Sequence, residues 1–378
     1  MKRVIVLGAG MVGAVMARDL SEDSMFSVTV ADIDELNLEK ASRKGNIKTI
    51  KADLSKPVEV KRLVTDFDLV CGALSSLIGF SALRAVIESG KDYCDISFMP
   101  EDAMDLDSLA KKKGVTAVVD CGVAPGMSNM LCGHANSYFD KTENVEIYVG
   151  GLPVVRTWPY QYKAAFSPVD VIEEYTRPSR FIVDGKIVTK PALTDPELMD
   201  FPGIGMLEAF NTDGLRSLLK TINAPRVIEK TLRYPGHIEL MRVLRETGFF
   251  EKDTIDIGGV KISPLALTSK LLFKIWKYEG DEEDLTVMRV IAEGMKDGKR
   301  VRLVWDLLDG YDPIQHETSM SRTTAFPNAI VARMVASGEY KNPGVNPPEF
   351  IGRNKALLDK VLDELSKRGV KFESNFAR

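Results

Sequence analysis

The chain is poor in several residue types on which specialised proteins depend. Its 378 residues include three histidines and four cysteines, Cys71, Cys94, Cys121 and Cys132. The cysteines stand at irregular spacing in apolar or strand-end contexts, and no Cys/His spacing suits zinc, so a reduced, metal-free protein is expected. No apolar run is long enough to cross a bilayer. Neither a basic stripe nor a block of like charge is present, and the net charge is −4. These absences argue against a membrane span, a nucleic-acid surface and a disordered charged tail. The N-terminus leads straight into an apolar run without a signal-peptide pattern, which predicts a cytoplasmic protein. What remains is an ordinary globular composition, long enough for two or three domain-sized units.

The rest of the chain is organised around its opening stretch. Val4–Leu7 is a short, continuously apolar run, as expected of a parallel strand buried on both faces. Gly8, Gly10 and Gly13 follow at GxGxxG spacing, with Met11 and Val12 between the last two as further cofactor-contact candidates, and Ala14 to Leu20 then read as a helix. A second strand, Ser27 to Ala31, ends on Asp32, nineteen residues past Gly13. The three glycines suit a tight turn, close approach to a pyrophosphate, and close helix–strand packing. The helix N-terminus offers unpaired N–H groups and positive dipole to the phosphates. Asp32 would accept hydrogen bonds from a free ribose 2′-hydroxyl and repel a 2′-phosphate. It is followed by Ile33, Asp34 and Glu35 with no adjacent Arg or Lys, so NAD is the expected cofactor.

Strands and helices then alternate. Strands are predicted at Ile47–Asp53, Leu69–Leu74, Asp92–Ile96 and Val115–Asp120, with helices at Glu35–Lys44, Pro57–Thr65, Phe80–Ser89 and Ala103–Lys113. Six strands with intervening helices imply an α/β domain with a Rossmann-type doubly wound parallel sheet. Ligands of such sheets lie at the carboxyl ends of the strands. That rule selects Asp32, Ile33, Asp53, Leu54, Gly72, Ala73, Leu74, Asp95, Ser97, Asp120 and Gly122. From Val145 the pattern changes to longer strands and DG, GG and KDG turns, as in VEIYVGGLP, YKAAFSP, RFIVDGKIV, DTIDIGGVKI and TVMRVIAEGMKDGKRVRLVWDLLD. Helical patches at Val169–Tyr175, Leu215–Leu219 and His237–Thr247 make this a second, α+β domain. A helix is predicted at Ala329–Ser337 after Pro327, and another at Asn354–Lys367 after the Pro/Gly-rich KNPGVNPPEF.

Seven motifs in order carry a family resemblance across essentially the full length. They are VLGAGMVG (Val6–Gly13), VVDCGVAPGMSN (Val118–Asn129), YVGGLP (Tyr148–Pro153), LEAFNTDG (Leu207–Gly214), TLRYPGH (Thr231–His237), SRTTAFP (Ser321–Pro327) and GVNPPE (Gly344–Glu349). The chain resembles the saccharopine reductase group of NAD(P)-dependent dehydrogenases. Within that group Asp32, Phe98, Ala124 and Val149 depart from the glutamate-forming saccharopine reductases and resemble the lysine 6-dehydrogenase-like members. The resemblance implies a dinucleotide-binding domain over residues 1–123, an α+β substrate and dimerisation domain over 124–340, and a segment 341–378 that returns to the first domain. It also implies a homodimer and NAD-dependent oxidation of the lysine ε-amine, with release of ammonia. Two alternatives stay open: a saccharopine dehydrogenase that makes or breaks a secondary amine, and a non-catalytic NAD-binding protein on the same fold.

Amine oxidation needs a proton acceptor, a water activator and an anchor for the amino-acid end. Asp120, at the end of the sixth strand, is placed beside the nicotinamide in a doubly wound dehydrogenase; it is a candidate base or ammonium ligand, or else a helix cap. Asp95 and Ser97 share that ambiguity at the fifth strand, and Phe98 follows them. Arg233 can pair bidentately with a carboxylate, Tyr234 lies beside it, and His237 can carry protons near neutral pH. Their alternatives are a domain-surface salt bridge for Arg233 and a helix cap for His237. Asn211 and Thr212, with Glu208 and Asp213, form either a substrate loop or a capping turn. Domain packing is the expected role of Arg322 and Thr323. His134 is expected to be a helix histidine, and His316 has no role.

Overall fold

The computed structural model describes residues 1–164 and 168–376. The chain divides into two compact units: Met1–Ser137 with Ser321–Lys371, and Tyr138–Met320 with the last strand, Phe372–Ser374.

The first unit alternates β1 (Lys2–Leu7), α1 (Met11–Ser21), β2 (Phe26–Asp32), α2 (Glu35–Ser42), β3 (Ile47–Lys51), α3 (Pro57–Val64), β4 (Leu69–Gly72) and α4 (Ser76–Glu88). It continues with β5 (Asp92–Asp95), α5 (Asp107–Lys113), β6 (Thr116–Val118) and α6 (Met127–Tyr138). Local chemistry sets the ends of these helices. Asp34 caps α2 by accepting from Leu36 N at 2.8 Å, Pro57 opens α3, and Gly114 closes α5 with φ +67°.

The second unit holds β7 (Lys141–Pro153), α7 (Pro168–Thr176), β8 (Ser179–Val183), β9 (Lys186–Lys190), β10 (Glu197–Phe201), β11 (Gly205–Asn211), α8 (Leu218–Thr221), β12 (Arg226–Arg233) and α9 (His237–Glu246). After the small ribbon β13 (Ile255–Ile257) and β14 (Val260–Ile262) come α10 (Pro264–Trp276) and the long hairpin β15 (Asp284–Lys296) and β16 (Lys299–Gly310). Helix α11 (Ser319–Ser337) begins in this unit and continues in the first, followed there by β17 (Gly344–Asn346), α12 (Pro348–Gly352) and α13 (Lys355–Lys367). Phe372–Ser374 is β18 and pairs with β16.

The first unit's sheet runs β17-β6-β5-β4-β1-β2-β3, with every neighbouring pair parallel. The expected doubly wound sheet is present, and the returning segment adds a seventh strand beside β6. Both faces are covered, so Val4–Leu7 is wholly buried. The second unit has a mixed nine-stranded sheet in which β7 lies between β12 and β15.

Several elements depart from the sequence pattern. Helix α11 runs through Pro327 instead of starting after it. Its first turn is held by the Asp284 carboxylate, which accepts from Ser319 N at 2.6 Å and Met320 N at 3.0 Å. Helix α10 falls between the two hairpins read from their turn residues. Of the expected YKAAFSP strand, Tyr162–Ala164 is irregular and residues 165–167 lie outside the described residues. The contact division keeps α6 up to Ser137 in the first unit and returns the chain there from Ser321, wider limits than 123 and 341.

Candidate active site

The glycine turn joins β1 to α1. Gly8 has φ +101°, and a side chain there would overlap the Ala73 carbonyl oxygen; one at Gly13 would overlap the Gly8 carbonyl. A side chain at Gly10, by contrast, would meet nothing within 4 Å. That open space lies at the uncapped N-terminus of α1, where N–H groups await an anion. The residues therefore fit a dinucleotide pyrophosphate.

Asp32 braces this turn. Its Oδ2 accepts from Ala9 N at 2.6 Å and its Oδ1 from Asp34 N at 2.8 Å. A carboxylate has about four lone-pair sites, so capacity remains for a ribose diol. Ile33, next in the chain, and Met11, the first residue of α1, are exposed. Lys51 stands opposite Asp32 in the β2–β3 ladder, a cation that adjacency in sequence does not reveal; its Nζ is engaged by Glu35 at 2.8 Å. At the end of β3 the Asp53 carboxylate is held by Ser55 Oγ (2.6 Å) and Lys56 Nζ (2.9 Å), which lower its pKa to about 2. Leu54 packs into the core.

Along the same edge, Ala73 N bonds Leu7 O after β4, and Leu74 N donates to Ser97 Oγ at 3.3 Å. Asp95, at the end of β5, is wholly buried. Its Oδ1 accepts from Ser97 Oγ (2.8 Å) and the Tyr93 hydroxyl (3.2 Å), while Oδ2 has no hydrogen-bond partner among the described residues. Burial raises its pKa to about 6, and the nearby Asp120 charge adds to the rise. Asp120 is buried in the left-handed region at φ +51°, an uncommon backbone state for any residue but glycine. Cys121 N bonds Asp95 O at 2.8 Å, tying the ends of the two strands. Fold and edge together thus bring Gly8, Gly10, Met11, Val12, Gly13, Asp32, Ile33, Gly72–Leu74, Asp95, Ser97, Asp120 and Gly122 to one rim. The four cysteines are buried free thiols; burial pushes Cys71 up to about 12, so none is a ready nucleophile.

The second unit holds the other candidates. Arg233 is buried, donates Nη2 to Glu174 Oε2 at 2.6 Å, and lies over the Tyr162 ring at 4.6 Å. The guanidinium expected to take a ligand carboxylate already holds one from the chain. His237 makes 2.9 Å bonds through Nδ1 to Tyr160 O and through Nε2 to the Tyr175 hydroxyl. A carbonyl can only accept, so Nδ1 carries the proton and Nε2 accepts from Tyr175. Burial and the Arg233 charge push its pKa to about 3, leaving the ring neutral at physiological pH. Tyr234 donates to Pro153 O at 3.0 Å.

The LEAFNTDG polar groups brace one another. Asn211 Nδ2 donates to Asp195 Oδ2, Thr212 Oγ1 to Glu229 Oε2 at 2.8 Å, and Arg180 clamps Asp213 through two 2.9 Å bonds. Glu229 and Glu174 were not singled out from sequence. The period-2 rule does give a signal, since Glu229, Thr231 and Arg233 share one face of β12. Burial raises Glu229 to about 8. Phe98 is half-buried after β5, and Arg322 and Thr323 are buried in α11. Among the described residues no cluster of His, Cys, Asp or Glu is arranged to hold a metal ion, and no helix is long and apolar enough to cross a membrane.

A doubly wound sheet with an uncapped, glycine-lined helix start defines the class as a dinucleotide-binding α/β protein. Residues 4–118 match the saccharopine dehydrogenase NADP binding domain, and residues 122–370 the saccharopine dehydrogenase C-terminal domain. The chain belongs to the saccharopine dehydrogenase family of oxidoreductases and carries its nicotinamide-cofactor domain. It is 23% identical to saccharopine dehydrogenase [NADP(+), L-glutamate-forming] of Schizosaccharomyces pombe, covering 99% of this chain and 98% of that one. It is 22% identical to the mouse mitochondrial alpha-aminoadipic semialdehyde synthase, covering 99% of this chain and 48% of that one. The chain thus spans about half the length of its mammalian relatives. Apo saccharopine dehydrogenase (L-Glu forming) from Saccharomyces cerevisiae shares the fold over the full length of both chains, at 20% identity and TM-score 0.82.

Proposed function

We propose that the chain is an NAD-dependent dehydrogenase that oxidises the carbon bearing the side-chain nitrogen of a lysine-derived amino acid. The observation that carries this reading is the rim of the first sheet, where Asp32 ends β2 and Asp95 with Asp120 follow at the ends of β5 and β6. Bound NAD would supply the hydride acceptor. Residues of the chain then have three tasks: take the ammonium proton, hold water for the iminium carbon, and exclude bulk solvent. Asp95, with a pKa of about 6, has the proton affinity of a base working near neutrality, and Asp120 is the neighbouring candidate for ammonium or water.

Free L-lysine is the first substrate reading, supported by Asp32, Phe98, Ala124 and Val149. Its products would be the 6-semialdehyde, ammonia and NADH. Saccharopine is the second, supported by the names of the relatives. Both share the hydride step, and water then releases ammonia from one and an amino acid from the other. Purified protein given NAD with lysine, NAD with saccharopine, and each amine with NADP would be followed by absorbance of the reduced cofactor. NADH formation with lysine supports the first reading and formation only with saccharopine the second. Silence with every pair would overturn the enzyme.

A further inference from the structure

The loop that follows β7, residues 154–161, is pinned at several points. Val154 N donates to Glu283 O at 3.0 Å, Gln161 N closes a turn on Thr157 O at 2.8 Å, and Tyr160 O accepts from His237 Nδ1 at 2.9 Å. Gln161 is held at φ +48°, uncommon for any residue but glycine, and its Oε1 accepts from Arg156 Nε at 2.7 Å. The Arg156 guanidinium lies over the Tyr234 ring, 4.5 Å from its centroid. That ring is itself fixed, because the Tyr234 hydroxyl donates to Pro153 O at 3.0 Å. A side chain that would otherwise sample many rotamers is thus held by a stack and a hydrogen bond.

What this guanidinium lacks is a counter-ion. Arg180, Arg226, Arg233 and Arg289 of the same unit each pair with a carboxylate of the chain. Arg156 is exposed and pairs with no carboxylate among the described residues. With Nε taken by Gln161, the side-on edge of the guanidinium is closed to a second acceptor. The two Nη groups form the remaining edge, whose parallel N–H bonds match the two oxygens of a carboxylate. A cation fixed before its ligand arrives also spares much of the ordering cost of binding.

We propose that Arg156 anchors the carboxylate of the amino-acid substrate, the task for which Arg233, spent on Glu174, is not free; this rests on the amino-acid dehydrogenase reading above. Phenylglyoxal modification of the full chain, mapped by peptide mass spectrometry, reads the guanidinium directly. L-lysine or saccharopine, at about ten times its dissociation constant, should slow modification of Arg156 about tenfold. 1,5-Diaminopentane, which is lysine without its carboxylate, should not. Arg156→Met should keep the thermal transition and the dissociation constant for NADH, and raise the Michaelis constant for the amino acid roughly 10- to 100-fold. Arg156→Lys keeps the charge without the paired edge and should recover only part of that loss. Protection by an amino acid that is not oxidised would support the anchor and overturn the dehydrogenase reading. Modification at one rate with and without either amino acid, or equal slowing by 1,5-diaminopentane, would overturn the anchor. Turnover of lysine would in that case leave the dehydrogenase reading intact.

Discussion

Asp32→Asn separates two jobs of one carboxylate. In the wild type both oxygens accept backbone N–H groups, from Ala9 and Asp34, and thereby brace the glycine turn. Asparagine keeps one acceptor and turns an amide N–H toward the other backbone donor, so the turn loosens for any dinucleotide. The proposed ribose contact is not shared. A hydrogen bond to a charged group contributes about 1.5–3 kcal/mol, so NAD affinity should fall by roughly ten- to 150-fold beyond the common loss. NADP gains, because repulsion between its 2′-phosphate and the carboxylate disappears. The common loss cancels in the ratio of dissociation constants, which should move toward NADP by at least about tenfold. Calorimetric titration of wild type and variant with both reduced cofactors, at one ionic strength, measures that ratio. Tighter binding of NADPH by the wild type, or an unchanged ratio in the variant, would refute the role given to Asp32.

Other outcomes follow from the buried groups. Asp95 has a raised pKa, so the folded state holds a proton that the unfolded state has lost between about pH 4 and 6, and stability falls as pH rises through that window. Asp95→Asn should match wild type below pH 4 and exceed it by about 2–3 kcal/mol above pH 7 in denaturant titrations, with activity reduced if Asp95 is the base. His237 has a depressed pKa, so its stabilising contribution is present above about pH 6.5 and lost as pH falls toward 3. Nitrogen NMR should show a neutral ring protonated on Nδ1 at pH 5; ring titration near pH 6.5 would count against the buried geometry. Arg233→Met strands the half-buried Glu174 carboxylate and should cost about 3 kcal/mol in thermal unfolding, most of it regained when Glu174→Met is added. In the first unit Asp19 accepts from Arg333 at 2.5 Å and Arg368 at 2.6 Å, so Asp19→Ala should also destabilise by a few kcal/mol.

The nucleotide half of the candidate site was legible because its determinants are local. Turn, helix start and terminal acid lie within one βαβ unit, and apolar runs mark strands that must be buried on both faces. The rule that ligands gather at strand carboxyl ends then placed Asp95 and Asp120 together from residues in different strands. Helix α10 was hidden because its apolar pattern serves two faces and falls between stronger turn signals. The first half of α11, up to Pro327, was hidden because proline normally stops a helix, and the contact that holds its first turn comes from Asp284, far away in the chain.

By itself, then, the sequence determined the dinucleotide fold, the acid that ends its second strand and the family motifs, all carried by short-range spacing. Only the tertiary structure decided what each polar group is paired with. Arg233, His237 and Thr212 are open to any partner when read along the chain. In the folded molecule Glu174, Tyr160 with Tyr175, and Glu229 take those valences. A buried polar group must be satisfied by whatever the fold brings near it, and that neighbour is set by packing and not by position in sequence.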